Sequence, residues 1–137
     1  MRAVTFLGDR KLELMDFPDP APGPNEVVLD IKASGMCGSD LKFYRASGGA
    51  SSLGLGKVSG PIIAGHEPCG VVAAVGAGVP ENVARVGDRV MVHHYHGCGT
   101  CEHCLTGWSQ MCVEGSVVYG VTGHGVVSRV TPVHGVA

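Results

Sequence analysis

Long apolar runs, runs of basic residues and a leader-peptide pattern are all missing from this sequence of 137 residues. No stretch reaches the length of about eighteen apolar residues that is typical of a membrane-spanning helix. The short apolar start of the chain is interrupted by Gly8, Asp9 and Arg10, which leaves no apolar region for a signal peptide. The net charge of −2 argues against a nucleic acid or an anionic membrane as the main partner. We therefore expect a cytoplasmic protein in a reducing environment, with a small molecule as its partner.

The sequence also lacks the alternation of strand and helix patterns that builds a nucleotide-binding parallel sheet. Gly76-Ala77-Gly78 has neither the third glycine nor the following helix of a dinucleotide-binding fingerprint. Glycine is abundant instead, with 22 residues beside eight prolines, and both residue types disfavour helices. A chain of 137 residues is expected to form one hydrophobic core. We expect a single, mainly β domain over residues 1–137, without a nucleotide-binding domain.

Short alternating or apolar segments predict the strands. Residues 2–7 and 11–17 predict a hairpin. Residues 26–34 alternate and end at Gly35, and one face carries Val27, Leu29, Ile31 and Ala33. Further strands are expected over residues 70–75, 86–92, 117–121 and 126–133. Such short strands with brief helices form most economically a small β-barrel, with a metal-binding loop inserted between two strands.

Four cysteines follow one another at the spacing C-x2-C-x2-C-x7-C, namely Cys98, Cys101, Cys104 and Cys112. Zn²⁺ binds four thiolates in a closed tetrahedron at about 2.3 Å. We therefore expect a structural zinc lobe over residues 96–114, folded by its metal. Two other interpretations stay open. An iron–sulfur cluster does not match the ferredoxin pattern, which closes with C-x3-C-P, and a pair of disulfides needs an oxidising compartment.

Cys37 and His66 form a second candidate metal site, since each lies at the end of a predicted strand. On spacing alone, a single Cys is usually a small buried apolar residue and a lone His is usually a hydrogen-bonded polar residue. Asp40 and Glu67 lie close to them in sequence, and a catalytic metal needs such carboxylates to orient its histidine ligand. Catalytic zinc has three protein ligands and keeps a fourth position open. A short helix is also expected here, with Ser39 or Asp40 as its N-cap.

Three motifs follow one another along the chain. Cys37-Gly38-Ser39-Asp40 has the form C-x-[ST]-D. Gly65-His66-Glu67, with Gly70, Gly76 and Val79, has the form G-H-E-x2-G-x5-[GA]-x2-[IVSAC]. The four-cysteine lobe is the third. In these motifs the chain resembles the N-terminal, GroES-like catalytic domain of zinc-dependent medium-chain alcohol dehydrogenases, over nearly its whole length. The resemblance implies a GroES-like small β-barrel with short helices and an inserted zinc-binding loop.

The resemblance also implies a role for each residue of the second site. Cys37 and His66 correspond to ligands of a catalytic zinc, and Glu67 to a carboxylate beside it or an exchanging ligand. Asp40 is similar to the aspartate that accepts a hydrogen bond from the ligand histidine and fixes its tautomer. Ser39 matches the hydroxyl that takes the proton of the alcohol. These five residues are the expected catalytic set.

His94, four residues before Cys98, falls where the family places a bulky side chain in the substrate pocket. A histidine in a surface loop is the other interpretation of this position. The family resemblance further implies a small alcohol or carbonyl substrate, zinc in both metal sites, and NAD(P) as cofactor of the full-length enzyme. A homo-oligomer is one state open to that enzyme.

Two departures from the family pattern qualify these expectations. Lys42 stands where many members have a proton-relay histidine, and an ammonium group releases protons less readily near neutral pH. The family's third zinc ligand and its nucleotide-binding domain follow this segment and are not in the sequence, and Cys69 is too close to His66 to replace that ligand. Residues 126–137 also fit the family poorly.

The expected function is therefore the catalytic-domain portion of a zinc-dependent dehydrogenase that oxidises an alcohol or polyol with NAD(P). The chain alone is expected to be inactive in hydride transfer, because no site in it holds the cofactor within reach. The alternative is a zinc-binding β-barrel module, or a truncated product, without activity of its own.

Overall fold

The computed structural model of the protein describes residues 1–48, 63–122 and 127–129. Strands and short helices alternate with turns along these residues. The elements are β1 Arg2–Gly8, β2 Lys11–Asp16, β3 Glu26–Gly35, α1 Gly38–Arg45, β4 Glu67–Val75, β5 Arg89–Met91, β6 Tyr95–His96, α2 Glu102–Leu105, a 3-10 helix at Ser109–Met111, β7 Val117–Val118 and β8 Val127–Arg129. Residue 126 and residues 130–133 of the strand expected over residues 126–133 lie outside the described residues.

Strands β1 and β2 form the predicted antiparallel hairpin, in which Val4 pairs with Leu14 and Thr5 with Glu13. Its turn contains Asp9 at φ 49° and, next to it, a second residue with positive φ. Two successive positive φ values are typical of the type I′ turns that match the twist of a two-stranded ribbon. The hairpin prediction is confirmed.

The central sheet has the order β5-β4-β3-β8, and all its neighbours are antiparallel. The predicted alternation of β3 holds at Val27 and Leu29, which are buried, and at Ile31, which is half-buried. It is wrong at Ala33, which is exposed. The cause is an irregularity in the pairing with β4 between Ile31 and Ala33, because an extra residue in one strand turns the following side chains out of register.

The hydrophobic core lies on one face of this sheet and is small. Its buried members are Val27, Leu29, Val72 and Ala84, each at most 5% exposed. Half-buried residues from β3, β4, β5 and the segments that follow β4 and β5 pack around them, namely Ile31, Val75, Val79, Val90 and Val92. The segments predicted as strands therefore supply most of this core, whereas Val79 and Ala84 come from the connection between β4 and β5, and β5 and β7 are shorter than expected.

The hairpin is joined to the rest of the domain at two places. Near its middle, Thr5 forms an isolated antiparallel bridge with Ile63, and the Ala64 N–H donates to the Val4 carbonyl at 3.2 Å. At its turn, the Arg10 N–H donates to a carbonyl in the last turn of α1 at 2.8 Å. The hairpin thus contacts both α1 and the segment that enters β4.

The mainly β fold class with brief helices and an inserted cysteine loop is confirmed. Hydrogen bonding divides the strands into three sheets, and within the described residues none of these sheets closes on itself. Among the helices that the structure describes, none has the length and apolarity needed to cross a membrane.

The core can be tested with Val72→Ala. This change removes two methyl groups from a side chain that is 1% exposed, so we expect the free energy of unfolding to fall by about 2–3 kcal/mol in urea denaturation. Val86→Ala is the matched control, since Val86 is 67% exposed, and its effect should stay within about 0.5 kcal/mol. Equal losses in the two variants would contradict this assignment of the core.

Candidate metal centres

Helix α1 begins at the end of β3, and its first turn presents the first group of polar side chains. Sequence reasoning expected Ser39 or Asp40 as the N-cap, and this is wrong, because Cys37 occupies that position in an extended conformation. Asp40 is the third helical residue, and its Oδ2 accepts the backbone N–H of Cys37 at 2.8 Å. A carboxylate in this place satisfies one free N–H and complements the positive end of the helix.

The same aspartate reaches His66, which directly precedes β4. Asp40 Oδ1 lies 3.1 Å from His66 Nδ1, and the two residues are only 2% and 6% exposed. A carboxylate only accepts hydrogen bonds, so Nδ1 carries the proton and the lone pair is on Nε2. The Ser39 hydroxyl lies 3.3 Å from that Nε2. Asp40 and Ser39, which were predicted to lie near His66, thus do lie close to its two ring nitrogens.

Cys37, His66 and Glu67 each offer a ligand atom, and these three atoms all lie within 4.8 Å of one another. The pKa of the Cys37 thiol is lowered, chiefly by hydrogen bonds with the side chain and backbone of Ser39 and further by His66. A lowered pKa favours the thiolate, which is the form that binds metal. A thiolate, an imidazole with a free nitrogen and a carboxylate are a set that suits zinc.

Glu67 owes its place to the residue opposite. In the β3–β4 pair Gly35 faces Glu67, and a Cβ on Gly35 would overlap the Glu67 carboxylate and lie 3.2 Å from its Cβ. The glutamate is itself exposed, so its side chain can turn toward the thiol or away from it. Sequence reasoning gave Gly35 no role beyond ending the strand, since an absent side chain leaves no pattern.

His94 also lies at this cluster. Its ring meets that of His66 in an edge-type contact with 5.2 Å between the centroids, and the tilted ring of Tyr95 has its centroid 4.3 Å from that of His94. Partial burial lowers the pKa of His94, and the charges of His66 and His93 lower it further. A neutral imidazole is therefore the favoured form beside the cluster, and its role in a substrate pocket stays a prediction.

Two further residues were considered from the sequence and lie apart from the cluster. Lys42 is an exposed residue of α1. Cys69 is half-buried in β4, where it faces Ala33 on one side and Met91 on the other. Within the described residues it belongs to neither group of possible metal ligands.

The four predicted lobe cysteines come together between β6 and β7, with all four sulfur atoms within 4.8 Å of one another. The Sγ atoms are 4.0 Å apart in the pairs Cys98–Cys104 and Cys101–Cys112. This separation is about twice the length of a disulfide bond, and all six cysteines of the chain are free. It is close to the distance of about 3.8 Å between ligands of a tetrahedral zinc with bonds of about 2.3 Å.

The surroundings of the lobe thiols shift their pKa values in opposite directions. Hydrogen bonds from the side chain and backbone of Thr100, and then from the Cys101 N–H, lower the pKa of Cys98 to about 6. A hydrogen bond with the Gly99 backbone acts in the same direction on Cys104, but partial burial and the three neighbouring thiols outweigh it and raise the pKa of Cys104 to about 11. Four thiolates at such distances repel one another, so a cation is needed to stabilise all of them together.

A glycine that sequence reasoning passed over also makes room for the lobe. A Cβ on Gly97 would overlap the Cys104 sulfur and lie 3.0 Å from the Cys112 Cβ. In the sequence, this role of Gly97 was indicated by its position directly before the first cysteine of the motif. The geometry therefore provides two sets of possible metal ligands, a compact group of four sulfur atoms and a mixed group of three.

Comparison with known proteins identifies the same domain. The family described as alcohol dehydrogenase GroES-like domain matches residues 23–136. The chain is 38% identical over 125 residues to the zinc-type alcohol dehydrogenase-like protein YphC of Escherichia coli K12, with 88% of this chain and 34% of YphC covered. It therefore spans about a third of that relative's length.

Solved structures agree. The fold is similar to that of a cobalt- and zinc-bound thermostable alcohol dehydrogenase from Pyrobaculum aerophilum, with a TM-score of 0.79 and 34% identity over 96% of this chain and 40% of that one. It is also similar to a NAD-dependent alcohol dehydrogenase, with a TM-score of 0.76 and 34% identity over 94% of this chain and 37% of that one. The resemblance seen in the motifs is confirmed, and the chain belongs to the alcohol dehydrogenase GroES-like domain family.

Proposed function

We propose that this chain is the catalytic-domain portion of a zinc-dependent dehydrogenase that oxidises a small alcohol or polyol with NAD(P). The observation that carries this proposal is the cluster around His66, in which a thiol, an imidazole and a carboxylate lie within 4.8 Å of one another. Zinc-type relatives and a NAD-dependent structural neighbour support it. The chain spans only about a third of such a relative, so the cofactor and the substrate belong to the proposal for the whole enzyme.

Cys37, His66 and Glu67 are the residues that would hold a catalytic zinc. When bound there, zinc supplies a Lewis acid that polarises the alcohol oxygen. The surrounding residues hold these ligands in the orientation that metal binding needs. The His66 ring is oriented by the buried Asp40 carboxylate, which contacts Nδ1 and keeps Nε2 free.

Ser39 is the proposed acceptor of the alcohol proton. Its hydroxyl is half-buried and lies 3.3 Å from His66 Nε2, so it borders the place where the ligand atoms converge. A hydroxyl both accepts and donates a proton, so it can pass the proton onward. Lys42 is on the next turn of the same helix, three residues further, and is exposed to solvent.

We assign a structural zinc to the lobe over residues 96–114 and regard residues 1–137 as one domain. Four sulfur ligands complete a tetrahedron and leave no position for a substrate. The short helices of the lobe have no buried residue. A bound metal therefore serves as the local core, and the free energy of its binding is also free energy of folding.

The first prediction concerns metal content. The chain loaded with Zn²⁺ should hold two equivalents by mass spectrometry, and Cys37→Ala should lower this to one because it removes a ligand of the mixed site. Cys69→Ala, the matched control, should keep two, since Cys69 belongs to neither ligand group. A single equivalent that does not respond to Cys37→Ala or His66→Ala would favour the alternative, a zinc-binding module without chemistry.

The second prediction concerns the lobe. Cys101→Ser should abolish its zinc binding and greatly accelerate amide hydrogen exchange over residues 98–112, because the metal supplies the local core. Exchange in β3 and β4 should remain slow, and Cys69→Ser is the control. Exchange that becomes fast in all strands would show that the lobe belongs to the main folding unit.

The third prediction separates proton transfer from metal binding. In the full-length dehydrogenase, Ser39→Ala should lower kcat for alcohol oxidation by about 10²–10⁴-fold, which is the usual contribution of a positioned proton acceptor. The zinc content should stay at two equivalents, since Ser39 is no ligand. A variant with unchanged kcat would remove Ser39 from the reaction.

A further inference from the structure

The turn that follows β7 packs directly against the backbone that carries His66. Tyr119, Gly120 and Val121 are all buried in this turn. A Cβ on Gly120 would lie 2.5 Å from the carbonyl carbon of Gly65 and closer still to its oxygen, and 3.0 Å from its nitrogen. These are backbone atoms, which cannot rotate away as a side chain would. The backbone segments at residues 120 and 65 can therefore be in contact only because residue 120 has no side chain.

Gly65, the residue contacted, has a backbone conformation that glycine adopts freely and other residues do not. It has a φ of +98°, a conformation that side chains rarely adopt, and it immediately precedes the histidine. On the side of the hairpin, the same stretch is held by the hydrogen bond from Ala64 to Val4. Gly120 contacts Gly65 from the turn after β7. The histidine turn thus contacts both the hairpin and the turn after β7.

The turn after β7 is also the exit from the four-cysteine lobe. Strands β6 and β7 flank the lobe and pair with each other, and the Tyr119 N–H donates to the His94 carbonyl at 2.9 Å. His94 in turn places its ring edge against His66, 5.2 Å between centroids. Both ends of the lobe therefore reach His66, one through the ring of His94 and the other through Gly120.

We propose that Gly120 is a positioning residue for His66, and that through it the chain leaving the lobe fixes the histidine for metal binding. The consequence for the metal rests on the function proposed above. The consequence for the histidine itself does not, because the contact between residues 120 and 65 exists without any metal. The two can therefore be tested separately.

The test compares Gly120→Ala with Gly115→Ala in the 137-residue chain. Both glycines have positive φ, +76° and +87°, so both variants carry a similar conformational strain. Only residue 120 has backbone within 4 Å of the added Cβ, since nothing lies that close at residue 115. The difference between the variants therefore isolates the contact with Gly65. Gly120→Asn is a second variant, because asparagine tolerates this backbone conformation better but adds the same Cβ.

Two readouts decide the result. In the metal-free chain, the ¹⁵N resonances of the His66 ring should shift in the Gly120 variants and stay in place in Gly115→Ala. In titrations with Co²⁺, the metal lost on Cys37→Ala should bind about 10–100-fold more weakly to the Gly120 variants, as is usual when support for a ligand is removed. The lobe should keep its own equivalent. Unchanged His66 resonances together with unchanged affinity would overturn the proposal.

Two other outcomes of the experiment also have a defined interpretation. If the unaltered chain has no metal that depends on Cys37, the proposed function fails, and the ring resonances still decide the role of Gly120. If the Gly120 variants do not fold, Val121→Ala replaces them as a milder change, since this side chain is 9% exposed in the same turn. It should shift the His66 ring resonances, whereas Val113→Ala, at an exposed position, should not. No shift in Val121→Ala would then count against the proposal.

Discussion

The hydrogen bonds of the Asp40 carboxylate are the interactions on which the mixed metal-ligand cluster depends. Asp40 is 2% exposed, and a buried carboxylate is stable only when its oxygens have partners. One oxygen accepts the Cys37 N–H and the other contacts His66 Nδ1. A single side chain therefore fixes the start of α1, the tautomer of the histidine and the distance between the two ligands. It also joins the end of β3 to the start of β4, which are distant in sequence.

In each of the two groups the possible ligand atoms lie within 4.8 Å of one another, yet the groups suit different functions. Four sulfur atoms complete the coordination of a zinc ion, and the lobe around them contributes no buried side chain from its helices. The mixed group offers three atoms from Cys37, His66 and Glu67, and Glu67 is exposed. An open position and a movable carboxylate are what a reacting site needs. The more conspicuous motif in the sequence is thus the one whose geometry suits a structural metal.

The features that could be predicted from the sequence are those encoded by neighbouring residues. The hairpin, the start of β3 and the grouping of the four cysteines all follow from spacing over a few positions. The exposure of Ala33 could not be predicted, because it results from how β3 pairs with β4. The N-cap at Cys37 was missed for a related reason: Asp40 supports the helix start from the third helical position, and its other oxygen contacts His66, a residue distant in sequence.

Glycines explain how so small a core can hold two metal-binding groups. Each group is backed by a glycine that faces its ligands across a strand pair or a turn, and a Cβ there would collide with Glu67, Cys104 or the peptide before His66. Close approach of a glycine backbone to side chains at two of these places, and to another backbone segment at the third, replaces the interlocking of large side chains, since the central apolar cluster has only four buried members in the part of the chain that the structure describes. Such contacts leave no hydrophobic pattern, which is why the ligands can be recognised in the sequence while their supports become visible only in the folded chain.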